Sequence, residues 1–163
     1  MRLNLRDIIE VPGSSLNFEC ELDQSLLDFP AVKEYKGVPK ASGRVYNEAG
    51  ILTMEGDILA DMVCYCDRCG TEFTTTKHTA AHALLADEDE GDNPELFILE
   101  GNEIDAQEVM TTCFILDMDS KFLCRKDCKG LCPRCGKNLN LGPCECRKST
   151  DPRFAVLEQL LDK

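Results

Sequence analysis

The stretch Cys124 to Cys146, "CRKDCKGLCPRCGKNLNLGPCEC", places six thiols in 23 residues, with few apolar side chains between them. Such a segment buries too little apolar surface to offset the entropy of its own ordering. Its sulfurs must therefore fold it, and three chemistries compete: disulfides, a redox pair, or a metal. An odd total of 11 Cys suits a complete disulfide framework poorly. The opening "MRLNLRDIIEVPG" is interrupted by Arg6, Asp7 and Glu10, so no signal peptide is expected. The expected location is the reducing cytoplasm, where lasting disulfides are rare. A redox Cys-x-x-Cys opens a helix after a strand. Here "GKNLNLGP" follows "CPRC", and its glycines, asparagines and proline leave no helix to grow. Metal is the reading that remains.

Zinc takes four ligands in a tetrahedron with sulfur about 2.3 Å from the ion, so its sulfurs sit a little under 4 Å apart. A Cys-x-x-Cys turn reaches that separation. In "CPRCG", Pro133 fixes one φ and Gly136 can take the positive φ such a turn needs next. In extended backbone, Cys144 and Cys146 face the same way. Cys132, Cys135, Cys144 and Cys146 therefore form a workable four-thiolate site, and Cys124 with Cys128, four apart and able to pair on one helical turn, can replace either half. A further pair, Cys66 and Cys69 in "CDRCG", has the same knuckle spacing. Two thiols cannot close a site, but six and two make eight, the number for two zincs. The expectation is one zinc, or two if Cys66 and Cys69 join two of the six and bolt the segment to the rest of the chain. With four thiolates there is no open position for a catalytic water, so the zinc is structural. His78 and His82 lack the adjacent Glu of a zinc peptidase and lie in a Thr-rich, strand-like stretch where their spacing does not converge.

Charge divides the chain at the same point. The net charge is −12, yet nine of the 18 basic residues and only five of the 30 acidic ones follow residue 123. The acidic balance argues against bulk attraction to nucleic acid or anionic membrane, and no apolar run approaches the roughly 20 residues of a membrane span. Two units are expected: an acidic, β-rich domain over 1–123 and a Cys-rich zinc module with a short helix over 124–163. Lys126, Lys129, Arg134, Lys137 and Arg147 crowd the thiols. They either balance the thiolate charge or grip phosphates locally.

Within the first unit, "LNFECEL" alternates as a half-buried strand. "GRVYNEAGILTMEGDILADMVCYC" holds two or three extended segments with a hairpin turn at "NEAG", and "TEFTTTKHTAAHALL" another strand. "QSLLDFPAVKEYKGVPKASG" reads as a short helical turn and a loop. "DEDEGDNPE", 87 to 95, is an acidic loop. A helix over about 105–116 starts at Asp105, with Glu108 three positions on and Ile104 and Val109 flanking the cap. Val109, Met110, Cys113, Phe114 and Leu116 supply its apolar stripe. Asp151 followed by Pro152 starts a terminal helix. The class is α+β, antiparallel and β-rich. No phosphate loop, nucleophile elbow or paired carboxylates point to catalysis.

Taken together, "CDRCG", "EIDAQEV", "LCRKDCKGLCPRCGKNLNLGPCEC" and "DPRFAVLEQLL" resemble the YceD-like family, in the same order along nearly the whole chain. The resemblance implies a non-enzymatic cytoplasmic factor for accumulation of 23S ribosomal RNA and ribosome assembly. It carries over Cys66, Arg68 and Cys69, the six clustered cysteines, and Asp151, Pro152 and Arg153. One departure is "LDMDSKFLC", where the family usually has a proline between helix and cluster. The expected partner is ribosomal RNA or, as an alternative, a basic ribosomal protein or assembly intermediate recruited by the acidic body. A thiol redox protein is a more remote alternative. No small-molecule substrate is expected.

Overall fold

The structure is a computed structural model that describes residues 1–87 and 96–146. Most of the expected acidic loop, Arg147 and the expected terminal helix from Asp151 lie outside the described residues. The chain is strand-rich and α+β, as its alternating segments require. Its elements are β1 (Arg2–Asn4), α1 (Arg6–Ile9), β2 (Ser15–Glu21), β3 (Val32–Tyr35), β4 (Lys40–Glu48), β5 (Ile51–Tyr65), β6 (Glu72–Ala86), β7 (Leu96–Ile98), β8 (Glu103–Asp105) and α2 (Ala106–Leu116).

The main sheet runs β2-β4-β5-β6-β7, with β3 also on β5, while β1 and β8 pair separately. All its pairs are antiparallel except β6 with β7. Strands β5 and β6 are 15 residues each and zip along their whole length, a ladder of about 50 Å at the usual rise per residue. β4 covers the first part of β5, and β3 covers the last. The expected loop before β4 thus carries a strand. Four residues, Val32–Tyr35, give too short a pattern to read, and they are extended because the unpaired end of β5 offers them a ladder.

The turn at "NEAG" places Ala49 and Gly50 at φ 53° and 93°, the two positive φ angles of a type I′ hairpin. The buried Asn47 secures it: its Oδ1 accepts from Gly50 N–H at 2.8 Å, and its amide nitrogen donates to the carbonyls of Ile8 and Ile9. Gly43 faces Gly56 across β4 and β5, and a Cβ on Gly43 would lie 2.0 Å from the carbonyl oxygen of Glu55. A rigid backbone neighbour cannot give way. Gly43→Ala, an exchange that would ordinarily favour a strand, is expected to destabilise by about 1–3 kcal/mol. A urea melt checks the sign.

Helix α2 packs on β6, β2, β5 and β1. Asp105 caps it, accepting from the N–H groups of Gln107 and Glu108, and Ile104, Val109, Met110 and Phe114 are buried. The stripe ends sooner than expected. Leu116, the last residue of the helix, is 66 % exposed. Below that end, Lys77 of β6 reaches Asp117 at 3.0 Å and Asp119 at 3.4 Å, and Thr79 donates to Asp117. The Thr79 hydroxyl, with Lys77, holds the Asp117 carboxyl below its usual range. This clamp directs the chain leaving α2 along β6, toward the turn that joins β5 to β6. Phe122, at its far end, is still buried in the main core.

Candidate metal centre

The turn between β5 and β6 is the sequence "CDRCGT". Cys64, the last inward residue of β5, belongs to the core, whereas Cys66 and Cys69 leave it and form a second buried cluster with Cys128. The turn has the form of a knuckle. Cys66 donates to the Thr71 carbonyl and accepts from Gly70 N–H, with Gly70 at φ 66°. "CPRCGK" repeats it: Cys132 donates to the Lys137 carbonyl and accepts from Gly136 N–H, with Gly136 at φ 71°. Glycine takes this conformation without a Cβ penalty.

The eight sulfurs fall into two sets. Cys66, Cys69, Cys124 and Cys128 have all ligand atoms within 4.8 Å of one another, and so do Cys132, Cys135, Cys144 and Cys146. In the first set, Cys66 and Cys128 are 3.8 Å apart, as are Cys69 and Cys124. In the second, Cys144 and Cys132 are 3.4 Å apart. A tetrahedron with metal–sulfur bonds of about 2.3 Å has edges of roughly 3.8 Å, whereas a disulfide needs about 2.05 Å. The cysteines are all free thiols, and either set fits a metal ion. Of the sequence expectations, Cys124 and Cys128 join Cys66 and Cys69 rather than the four later sulfurs. They are brought together by a turn in which Cys128 N–H donates to the Arg125 carbonyl, not by a helical turn.

The thiols of each set differ in how readily they ionise. Burial resists ionisation of Cys66, but N–H groups of Cys124, Arg68 and Cys69 aimed at its sulfur bring it down to about 6. The Thr71 hydroxyl and N–H lower Cys69 as well. Cys124 is pushed the other way, to about 12, by burial and by the crowding of Cys66, Cys69 and Cys128. In the second set, N–H groups of Cys135 and Arg134 lower Cys132 to about 6, while the neighbouring Cys135 sulfur and burial push Cys146 up to about 12. One thiolate forms readily in each set and the last is repelled by it. A divalent cation removes that conflict.

Neighbouring side chains hold the sets in place, and of these only Arg68 is among the residues the family resemblance carries over. Asp67 donates its N–H to the Phe122 carbonyl at 2.8 Å and accepts the Phe122 N–H on its carboxylate, strapping the incoming chain to the hairpin tip. Arg68 donates to the Cys128 carbonyl at 3.0 Å. Asn138 and Asn140 reach back from the loop between Cys135 and Cys144. For Asp67, Asn138 and Asn140, only their position between the paired cysteines could have drawn attention to them.

Among the basic residues, Lys126, Lys129 and Arg134 are exposed. Lys137 is exposed too, and its ammonium donates to the Pro143 carbonyl at 2.9 Å, bracing the turn before Cys144. His78 points to the open face of β6 and meets Asp57 at 2.6 Å, away from the sulfurs. No helix among the described residues is long and apolar enough to cross a membrane.

The uncharacterized proteins Mb2951c of Mycobacterium bovis and Rv2926c of Mycobacterium tuberculosis are each 29 % identical over 117 residues, 69 % of this chain. The chain spans 56 % of the length of these relatives. No solved structure matches. The family model described as "Large ribosomal RNA subunit accumulation protein YceD" matches residues 54–161, from near the start of β5 through both sulfur sets, and the chain belongs to that family.

Proposed function

We propose that this chain is a non-enzymatic cytoplasmic factor for accumulation of large-subunit ribosomal RNA, built as an acidic sheet body, 1–123, and a cysteine module, 124–163, folded by two structural zinc ions. The observation that carries the reading is the gathering of eight thiols into two four-sulfur sets in a chain of this family. Four thiolates favour zinc, and they leave no coordination position for water, so the ions fold the module and do no chemistry. Cys66, Cys69, Cys124 and Cys128 hold one ion, and Cys132, Cys135, Cys144 and Cys146 the other.

The module meets ribosomal RNA through phosphate contacts from Lys126, Lys129 and Arg134, with Arg147 next in sequence. Lys137 stands with them, since its ammonium keeps its charge and two further donors beside the Pro143 contact. Lys126→Glu, Lys129→Glu and Arg134→Glu together are expected to abolish measurable binding to a large-subunit RNA fragment at moderate salt. The milder triple Ala variant is expected to reduce the slope of log affinity against log salt by about 2–3. Binding that is indifferent to both variants sinks the RNA contact.

One observation favours the alternative, an adaptor for a basic ribosomal protein. The sheet face opposite α2 presents Glu19, Asp57 and Asp61 to solvent. Reversing these three to Lys separates the readings: loss of a ribosomal-protein contact with RNA binding intact supports the adaptor.

A further inference from the structure

The loop that closes the second sulfur set, Gly136 to Pro143, is anchored at both ends by that set, at Cys135 and Cys144. Its two asparagines do not serve it. Asn140 Oδ1 accepts from Arg125 Nη2 at 2.7 Å and from Lys129 N–H at 2.8 Å. With two donors on its oxygen, the amide has only one sensible orientation. Its nitrogen therefore faces Cys128 Sγ of the first set, at 3.3 Å. Asn138 Nδ2 donates to Thr71 Oγ1 at 3.2 Å, and Thr71 Oγ1 lies 3.3 Å from Cys69 Sγ, also of the first set. With Cys69 as the thiolate, the Thr71 hydroxyl turns its proton to that sulfur while its oxygen still accepts from Asn138. Asn138 Oδ1 in turn accepts from Asn140 N–H at 2.9 Å, and Leu139 N–H donates to the Gly130 carbonyl, so the pair moves as one.

We propose that Asn140 and Asn138 are positioning residues that couple the two metal sites, so that loading the second site strengthens the first. The proposal rests on the zinc reading above and adds to it the order of loading. A metal in the second site pins the loop. The pinned loop then presents one N–H to Cys128 and, through Thr71, one hydroxyl proton to Cys69, and both stabilise thiolate character at the first site. Outer-shell partners of this kind typically change metal affinity by about 10–100-fold. By linkage, the first metal must strengthen the second by the same factor.

The test uses the full chain with zinc alone, in competition with a chromophoric chelator, and cobalt absorbance to count the thiolates bound. Asn140→Asp is nearly isosteric and keeps the Arg125 and Lys129 contacts, but it sets a carboxylate against the Cys128 sulfur. It is expected to weaken the first site by about 10–100-fold. In Cys66→Ser/Cys69→Ser, which retains only the second site, the same change is expected to leave zinc affinity unaltered. In Cys144→Ser/Cys146→Ser the first site starts weaker, and Asn140→Asp adds little. First-site affinity unchanged by Asn140→Asp in the otherwise intact chain overturns the proposal, as does an equal loss with and without the second site. Two zincs bound independently sink the coupling alone; a chain that takes up no zinc sinks the metal reading itself.

Discussion

Chelation of the native chain is expected to unfold residues 124–146 and leave the sheet standing. Elemental analysis of the untreated protein should first give two zincs per chain. The reason lies in what each part buries. The body closes a core around Phe18, Val45, Met54, Ile58, Met62, Met110 and Phe114, whereas the buried apolar side chains described after residue 123 are only Cys128 and Cys132. A segment with that core has no other source of stability to set against its conformational entropy. Structural zinc supplies about 10–16 kcal/mol per site at neutral pH in small domains of this kind. Hydrogen exchange reads the outcome directly. After chelation, the amides of Cys132, Gly136 and Leu139 should lose protection, while those along β5 and β6 keep theirs. Module amides that stay protected without metal overturn the reading.

Acid should release the metals, and the slope follows from the thiols. Below pH 12 the metal-free sets keep a proton on Cys124 and on Cys146, each pushed up to about 12. The loaded sets hold none there. Loading therefore expels at least one proton per site, and affinity rises at least about tenfold per pH unit. Below about pH 6, Cys66 and Cys132 are protonated too, and the dependence steepens. Chelator competition at pH 6 and pH 8 should differ by on the order of 100-fold or more for each site. A pH-independent affinity would mean that the sulfurs are not the ligands.

Much of the body is legible in the sequence because its signals are local. The hairpin at Ala49–Gly50, the cap at Asp105 and the alternation along β6 each depend on residues within a turn or two of one another. The knuckles are legible for the same reason, since "CDRCG" and "CPRCG" need only their own backbone to form. What is not legible is nonlocal. Sequence leaves open whether Cys124 and Cys128 serve the later sulfurs or the earlier pair. The clamp of Lys77 on Asp117 and Asp119 settles it, by running the chain down β6 to the hairpin tip. Strand β3 is extended because β5 outruns β4, and Lys137 is engaged because a carbonyl at Pro143 lies within reach. Neither cause is visible in the residues themselves. Leu116 reads as core by periodicity alone, yet as the last residue of its helix it is exposed.

The partners in the first sulfur set stand 55 and 62 positions apart along the chain. At ordinary rates of protein synthesis, their second halves emerge about 3–12 seconds after the first. During that interval a growing chain displays half a binding site and can hold an ion only weakly. Firm capture of the metal thus dates the moment at which translation has passed residue 128, with the whole ladder already made.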